Sequence, residues 1–328
     1  MKTIFRVFAV LFSLSFMMTS SAWAGGHSGY KTCSWWNVIC QTANRYNTKY
    51  PVVLVHGVSG FDELLGFVEY FHDIPDELQE GNAKVYTPNI TAWDDAYVRG
   101  EQLLSYIENV VIPDSGASKV NLIGHSLGGP TIRYVASVRP DLVASVSTVN
   151  GVNGGSGFAD WGMTAFPQGS WGNGVLEDLL NLLGDVTDFL SGNPEYEQDA
   201  LEAVLFMTTA GIDQFNADHP AGQLTSSCGE GAGTVNGIRY YSWGSVAQIT
   251  NVLDPLDYLL ATTGALGFSN NDHDGLVGRC QQRWGDVLRD DYYLNHTDAT
   301  NLLFGMTGWT DPRDLYENHA SRLRDLGL

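Results

Sequence analysis

Val120-Asn121-Leu122-Ile123-Gly124-His125-Ser126-Leu127-Gly128-Gly129 is the stretch on which the reading of this chain turns. Val120 to Ile123 has the composition of a buried strand, and Thr131 to Val138, closed by Pro140, reads as a helix. Between them stands G-x-S-x-G. A serine on a sharp strand-to-helix turn is lifted to the C-terminal edge of a sheet, and the flanking glycines leave room for neighbouring backbone. The helix starting behind it offers unpaired N–H groups to a developing oxyanion. Ser126 is therefore the candidate nucleophile.

Working outward, Val52 to Val55 is a short, fully apolar run after Pro51, as a buried parallel strand should be. Lys84 to Tyr86, Leu142 to Val149 and Ile238 to Trp243 read as further strands. Val98 to Val111 has Leu103, Leu104, Ile107, Val110 and Val111 at helical spacing and is expected to stop before Pro113, and Leu315 to Leu326 reads as a terminal helix. Strands separated by helices imply βαβ units. With the serine turn, the expected architecture is an α/β-hydrolase fold with a mostly parallel central sheet flanked by helices. Val55-His56-Gly57-Val58 ends the first strand. In this fold the oxyanion hole combines the N–H after the nucleophile with one from an earlier strand-end loop, which nominates the backbone N–H groups of Leu127 and Val58. His56 and His125, each beside a glycine in a tight turn, are read as structural.

A serine hydroxyl needs an imidazole base oriented by a carboxylate, and the chain order in this fold is Ser, acid, His. The histidines after Ser126 are His219, His273, His296 and His319. His219, beside Pro220, reads as a loop residue, and His319 falls in the terminal helix. Spacing leaves two pairings open: His296 with Asp274 or Asp272, and His273 with Asp254 or Asp257.

Outside the core pattern, residues 1–24 read as a secretory signal peptide. Lys2 and Arg6 precede an apolar run from Val7 to Met18, and Ala22-Trp23-Ala24 is a small-x-small cleavage site. The apolar run is shorter than the ~20 residues a permanent membrane span requires. The remainder, residues 25–328, fits one domain that can bury a large core without disulfides. Four cysteines suggest two bridges, with three connectivities possible. No Cys/His spacing suggests zinc. The formal charge of −20 would be repelled by phosphate backbones, so nucleic acid is not an expected partner, though some of the acid could hold a hard cation such as calcium.

One region, about 151–200, breaks the strand–helix rhythm. Residues 151–174 are rich in glycine and aromatics without a clear period. Residues 175–190 are amphipathic at helical spacing, either an ordinary core-covering helix or a lid whose apolar face covers a pocket and turns toward a lipid surface.

Several blocks in order carry a family resemblance: Tyr50 to Gly57, Gly124 to Gly129, Cys228-Gly229-Glu230-Gly231 with Val235 to Trp243, Asp274 to Gly278, Arg289-Asp290-Asp291-Tyr292, and Asn295-His296-Thr297-Asp298. Together, over residues 49–328, the chain resembles the bacterial family I true lipases, secreted calcium-dependent enzymes that often need a dedicated membrane-anchored foldase. The resemblance implies Ser126 as nucleophile, Asp274 as orienting acid, His296 as base and a Cys228–Cys280 bridge. It also implies one structural Ca2+ held by Asp254, Asp298 and the backbone carbonyls of Leu302 and Met306. The expected activity is hydrolysis of triacylglycerol at an oil–water interface, by a protein exported through the periplasm. In one departure, His273 stands where the family commonly has Asn. The leader with Cys33, Trp35, Trp36 and Cys40 lies outside the likeness. The rival readings are a carboxylesterase of soluble short-chain esters and a non-catalytic binding protein on the same fold. The latter usually lacks a triad member, whereas candidates for all three are present here.

Overall fold

Val52–Val55 (β1) is buried at all four positions because layers of helix cover both faces of the sheet it joins. Val52 and Leu54 point into one core cluster, with Ile123, Val149, Trp243 and the helices Ile74–Glu80 and Pro312–Asp325. Val53 and Val55 point into the other, with Val120, Leu122, Val146, Tyr240 and the helices Ala96–Tyr106 and Gly128–Val138. A parallel strand between two helical layers needs apolar residues on both sides, which is why these strands read as continuous runs and do not alternate.

The computed structural model describes residues 44–58, 63–64, 68–165 and 200–328. The expected signal peptide, Cys33, Cys40 and the amphipathic segment 175–190 lie outside the described residues. Val85–Tyr86 (β4), Val120–His125 (β5), Val143–Val149 (β6), Thr234–Val235 (β7), Ile238–Ser245 (β8) and Asp286–Tyr292 (β9) complete, with β1, a seven-stranded sheet among the described residues. Its order is β4-β1-β5-β6-β8, with β7 and β9 both paired to β8. Every pairing is parallel except that of β7 with β8. Glu63–Leu64 (β2) and Val68–Glu69 (β3) form a separate antiparallel pair. The expected α/β-hydrolase architecture is the observed one.

One expectation is corrected. The helix read to stop before Pro113 runs on: Ala96–Tyr106 passes through a π turn at Ile107–Val111 into Ile112–Ser115. Proline inside an α-helix loses an N–H bond and crowds the carbonyl four residues back; the wider turn directly before Pro113 accommodates both losses. Within the stretch 151–174, which shows no clear period, Gly157–Ala165 is helical.

In a parallel sheet the C-terminal strand ends share one edge. Ser126 after β5, Asn150 after β6, the loop 246–254 after β8 and the loop 293–298 after β9 all emerge there.

Candidate active site

Ser126 has φ 56°, in the left-handed region that a non-glycine residue occupies at a cost of roughly 1–3 kcal/mol. Its backbone is locked in place: its N–H donates to Val149 O at 3.0 Å, and its carbonyl accepts from Gly129 N and Val152 N. The glycines around it are required by space. A Cβ on Gly124 would lie 2.2 Å from Gly128 O, and one on Gly128 would lie 2.3 Å from Val55 O. The strand, the turn and the following helix cross too tightly for any side chain there.

Gly57, after β1, is fitted against the same serine, since a Cβ there would meet Ser126 Cβ at 2.6 Å and Ser126 Oγ at 3.1 Å. The peptide units on either side of Gly57 are held by buried polar groups. His56 O accepts from Arg99 Nη2 at 2.5 Å, and Gly57 N donates to Tyr70 Oη at 3.1 Å. Gly57 O lies 2.9 Å from His56 Nδ1; a carbonyl only accepts, so Nδ1 carries the proton. Burial, with the Arg99 charge nearby, pushes the His56 pKa down to about 3, so the ring stays neutral. Gly57 O and Val58 N belong to one peptide unit, and the bond from His56 fixes its plane. Leu127 caps the helix Gly128–Val138, so its N–H has no acceptor within that helix. Of the two nominated oxyanion donors, Leu127 directly follows Ser126, and Val58 follows the glycine fitted against it.

His296 and Asp274 are brought together. His296 Nδ1 lies 2.7 Å from Asp274 Oδ2, and His296 N donates to Asp274 O at 2.9 Å. Asp274 is fully buried. Its Oδ1 accepts from Leu276 N at 3.0 Å and Val277 N at 2.8 Å, and its Oδ2 also accepts from Asn150 Nδ2 at 2.8 Å. This fixes the tautomer: a carboxylate accepts from Nδ1–H, which leaves the lone pair on Nε2. Nε2 is buried and has no hydrogen-bond partner among the described residues. The rings of His296 and His125, the residue before Ser126, lie 4.7 Å apart.

The rival pairings are not assembled. Asp272 is exposed. His273 stacks on Phe268 with centroids 4.3 Å apart, and its Nδ1 accepts from Gly275 N. His219 packs among Phe215, Tyr97 and Tyr134. His319 does meet a serine, Ser147 Oγ, 2.7 Å from its Nε2. Arg322, however, donates to its Nδ1 at 3.1 Å, so Nε2 must carry the proton and cannot serve as a base.

Asn150 was not foreseen. It follows β6 at φ 46° and uses its side-chain N–H2 on both Ser245 Oγ and Asp274. The only trace in the sequence is an Asn-Gly pair at a strand end, which reads as an ordinary turn.

Asp254 and Asp298 also converge, together with Asp257, their oxygens lying within 4.8 Å of one another and all three residues buried. Asp257 is occupied by Thr250 N, Asn251 N and Asn295 Nδ2. Asp254 caps the helix Pro255–Gly267 through Oδ1. Asp298 accepts from Thr250 Oγ1 and Asn295 N through Oδ2, while its Oδ1 is buried without a hydrogen-bond partner among the described residues. Burial, with neighbouring carboxylates, raises the pKa values of Asp254 and Asp298 to about 6. Carboxylates crowded out of water with an oxygen unpaired suit a hard divalent cation. The cluster could thus hold a metal ion. Nearby, Asn301, Leu303 and Phe304 are all left-handed, an unusual concentration of strained residues in the turn that carries the Leu302 and Met306 carbonyls. Cys228 and Cys280 form a disulfide, and Arg283 donates to Cys228 O and Gly229 O while pairing with Asp290.

Comparison with known proteins agrees with this fold. The family pattern described as alpha/beta hydrolase fold matches residues 50–282. The chain is 45% identical over 329 residues to a triacylglycerol lipase of Vibrio cholerae, covering 100% of this chain and 99% of the relative. It is 41% identical to a triacylglycerol lipase of Pseudomonas fragi, covering 86% and 98%. Among solved structures, the Staphylococcus hyicus lipase aligns with a TM-score of 0.57 at 14% identity, over 86% of this chain and 98% of the other, a likeness of fold alone.

Proposed function

Because the chain belongs to the α/β-hydrolase fold family and, within it, to the bacterial triacylglycerol lipases, we propose that it is a secreted lipase that cleaves the ester bonds of triacylglycerols, with Ser126 as nucleophile, His296 as base and Asp274 as orienting acid. The observation that carries the site assignment is the His296 Nδ1 contact to Asp274 at 2.7 Å, with Nε2 held bare and buried next to the strained serine turn.

The reaction is a two-step acyl transfer. His296 Nε2 takes the Ser126 hydroxyl proton as the oxygen attacks the ester carbonyl, and the N–H groups of Val58 and Leu127 meet the oxyanion. Asp274 stabilises the imidazolium, which then protonates the departing alcohol. Water enters, loses a proton to His296 and attacks the acyl-enzyme, returning Ser126 and releasing the fatty acid. Asn150 and the Leu276 and Val277 amides hold the Asp274 carboxylate so that one oxygen always faces His296.

The test is hydrolysis of an emulsified long-chain triglyceride beside a dissolved short-chain ester, with Ser126→Ala as blank. A high rate on the emulsion that vanishes in Ser126→Ala supports the proposal. Activity confined to the soluble ester reduces the protein to a carboxylesterase, and an active Ser126→Ala removes the site assignment.

The metal proposed for the acidic cluster is one Ca2+, held by Asp254, Asp298 and the carbonyls of Leu302 and Met306. Its chemistry there is structural, tying the loop after His296 to the helix Pro255–Gly267. The bare Asp298 Oδ1 and the strained turn support it. The family I resemblance and the pattern of residues 1–24 support export through the periplasm and assistance by a lipase-specific foldase. Recovery of activity from denaturant with and without a foldase of a related lipase tests the latter; equal yields would remove it.

A further inference from the structure

Tyr70 is buried directly after the short β2–β3 pair, and the acyl-transfer scheme gives it no role. Its hydroxyl sits at a junction: Gly57 N lies 3.1 Å away on one side and His125 Nδ1 2.6 Å away on the other. The far nitrogen of that ring, His125 Nε2, lies 2.9 Å from His296 O. The directions of these three bonds are fixed by chemistry. A carbonyl only accepts, so His125 Nε2 carries the proton; a neutral imidazole then accepts at Nδ1, so the Tyr70 hydroxyl donates there. The Tyr70 oxygen is left to accept from Gly57 N–H. A charged His125 would have donors at both nitrogens and break the series. Burial, with the His296 ring nearby, holds its pKa well below the usual histidine range, in keeping with the neutral form.

We infer that Tyr70 is a positioning residue that joins the oxyanion loop to the loop of the base, through the one-way series Gly57 N–H to Tyr70 O–H to His125 to His296 C=O. The inference rests on the roles given above to Val58, Ser126 and His296. Its consequence is geometric. Val58 N–H is one peptide beyond Gly57, and Ser126 is the residue after His125. One hydroxyl therefore sets the spacing between the oxyanion donor, the nucleophile and the base. These three groups come from the ends of β1, β5 and β9, which share no backbone hydrogen bond between β1 and β9. Rigid placement of this kind matters because a displacement of about 1 Å in a reacting group can lower a rate by about 100-fold.

The test uses the full chain with Tyr70→Phe, which removes only the hydroxyl. On a dissolved short-chain ester, kcat is expected to fall roughly 10- to 100-fold, as for a displaced oxyanion donor, while KM stays within about twofold. An unchanged kcat overturns the inference, and so does a change confined to KM, which would make Tyr70 part of substrate binding. A second pair does not depend on how Tyr70→Phe folds. His125→Gln keeps a donor for His296 O, whereas His125→Leu keeps neither link. The glutamine variant is expected to retain the higher kcat, and equal losses in the two overturn the series. Ser126→Ala in the same assay separates the two levels: if it retains activity, the site reading itself fails. If it is inactive while Tyr70→Phe behaves as the parent, the triad stands and the Tyr70 link falls.

Discussion

Asp274→Asn is the change that most sharply tests how the site works, because nothing around the carboxylate allows an amide to be accommodated. Four donors converge on it, two on each oxygen: Leu276 N and Val277 N on Oδ1, Asn150 Nδ2 and His296 Nδ1 on Oδ2. An asparagine must direct its NH2 at one of these pairs. Turned toward the main-chain amides, it sets donors against donors and disrupts the turn that carries the residue. Turned toward His296, it forces the imidazole to the other tautomer, with Nδ1 accepting and Nε2 protonated. A protonated Nε2 cannot take the Ser126 proton. Loss of the correct tautomer alone lowers kcat about 10⁴-fold in serine hydrolases, or roughly 5.5 kcal/mol of barrier.

Stability changes less. Two donors lose a charged acceptor, each costing about 1–3 kcal/mol, but removal of a buried charge offsets part of this. A net loss of about 2 kcal/mol, or roughly 3 °C in Tm, is expected. The assay is kcat on a dissolved ester, with folded protein quantified by circular dichroism and the melting curve recorded beside it. A folded Asp274→Asn enzyme keeping more than about a tenth of parental kcat would refute the reasoning, since His296 would then take its orientation from another group.

Three further outcomes are expected. Adding Ca2+ at about 100 times its Kd should stabilise the parent by roughly 2.7 kcal/mol and raise Tm by about 4 °C, with little response in Asp298→Asn; a parent indifferent to chelation would sink the calcium proposal. Gly128→Ala should abolish soluble expression or activity, because its Cβ would lie 2.3 Å from Val55 O and the clash is with backbone; a stable, active variant would show that this crossing is looser than described. His319 is buried with its pKa pushed down to about 3, first by burial and then by Arg322, so below pH 6.5 the unfolded chain takes up a proton that the folded one refuses. Stability should therefore fall on acidification from about pH 6.5 toward pH 3, by about 1.4 kcal/mol per pH unit for this residue, and denaturant midpoints for His319→Gln should show a shallower acid slope.

What could be read in advance follows from where each feature gets its stability. β1, β5 and β6 lie between helical layers, so burial on both faces wrote β1 into the sequence as an apolar run and left β5 and β6 with neutral side chains and a core of Val, Leu and Ile. β9, Asp-Val-Leu-Arg-Asp-Asp-Tyr, takes its place by pairing with β8 and leaves several side chains partly or fully exposed; its composition is that of a loop. The helix Pro255–Gly267 did leave a sign, Asp254-Pro255, a capping acid before a proline at the first helical position. The same aspartate was read as a metal ligand or as a partner for His273 and not as a helix cap, although one carboxylate has oxygens enough to cap a helix and hold an ion. Ser126, Asp274 and His296 could be nominated from motif and chain order, but residue spacing could not choose between His296 and His273. That choice depends on which loop the β8–β9 pairing brings to Ser126, a long-range contact with no local signature.

The residues that escaped notice, Asn150, Tyr70 and Arg99, share a physical reason for their invisibility. Each acts on main chain or on another polar side chain far away in sequence, and each is a common residue type in an unremarkable local pattern. Arg99 is the extreme case. It stands at helical spacing in Ala96–Tyr106, where an arginine would be taken for solvent-facing, yet it is fully buried and donates to the carbonyls of Thr91, Ala92 and His56. Burial lowers its pKa to about 10, still far above neutrality, so it keeps its charge, with carbonyl dipoles, the Thr131 hydroxyl and the nearby Asp94 charge offsetting it. A cation held that way is expensive to bury, and its position is explained by what it holds: the peptide unit leading into Gly57 and Val58. Removing the charge while keeping the bulk, as in Arg99→Met, should therefore cost activity beyond any loss of stability. A folded Arg99→Met variant with parental kcat would show instead that the turn after β1 is held by packing alone.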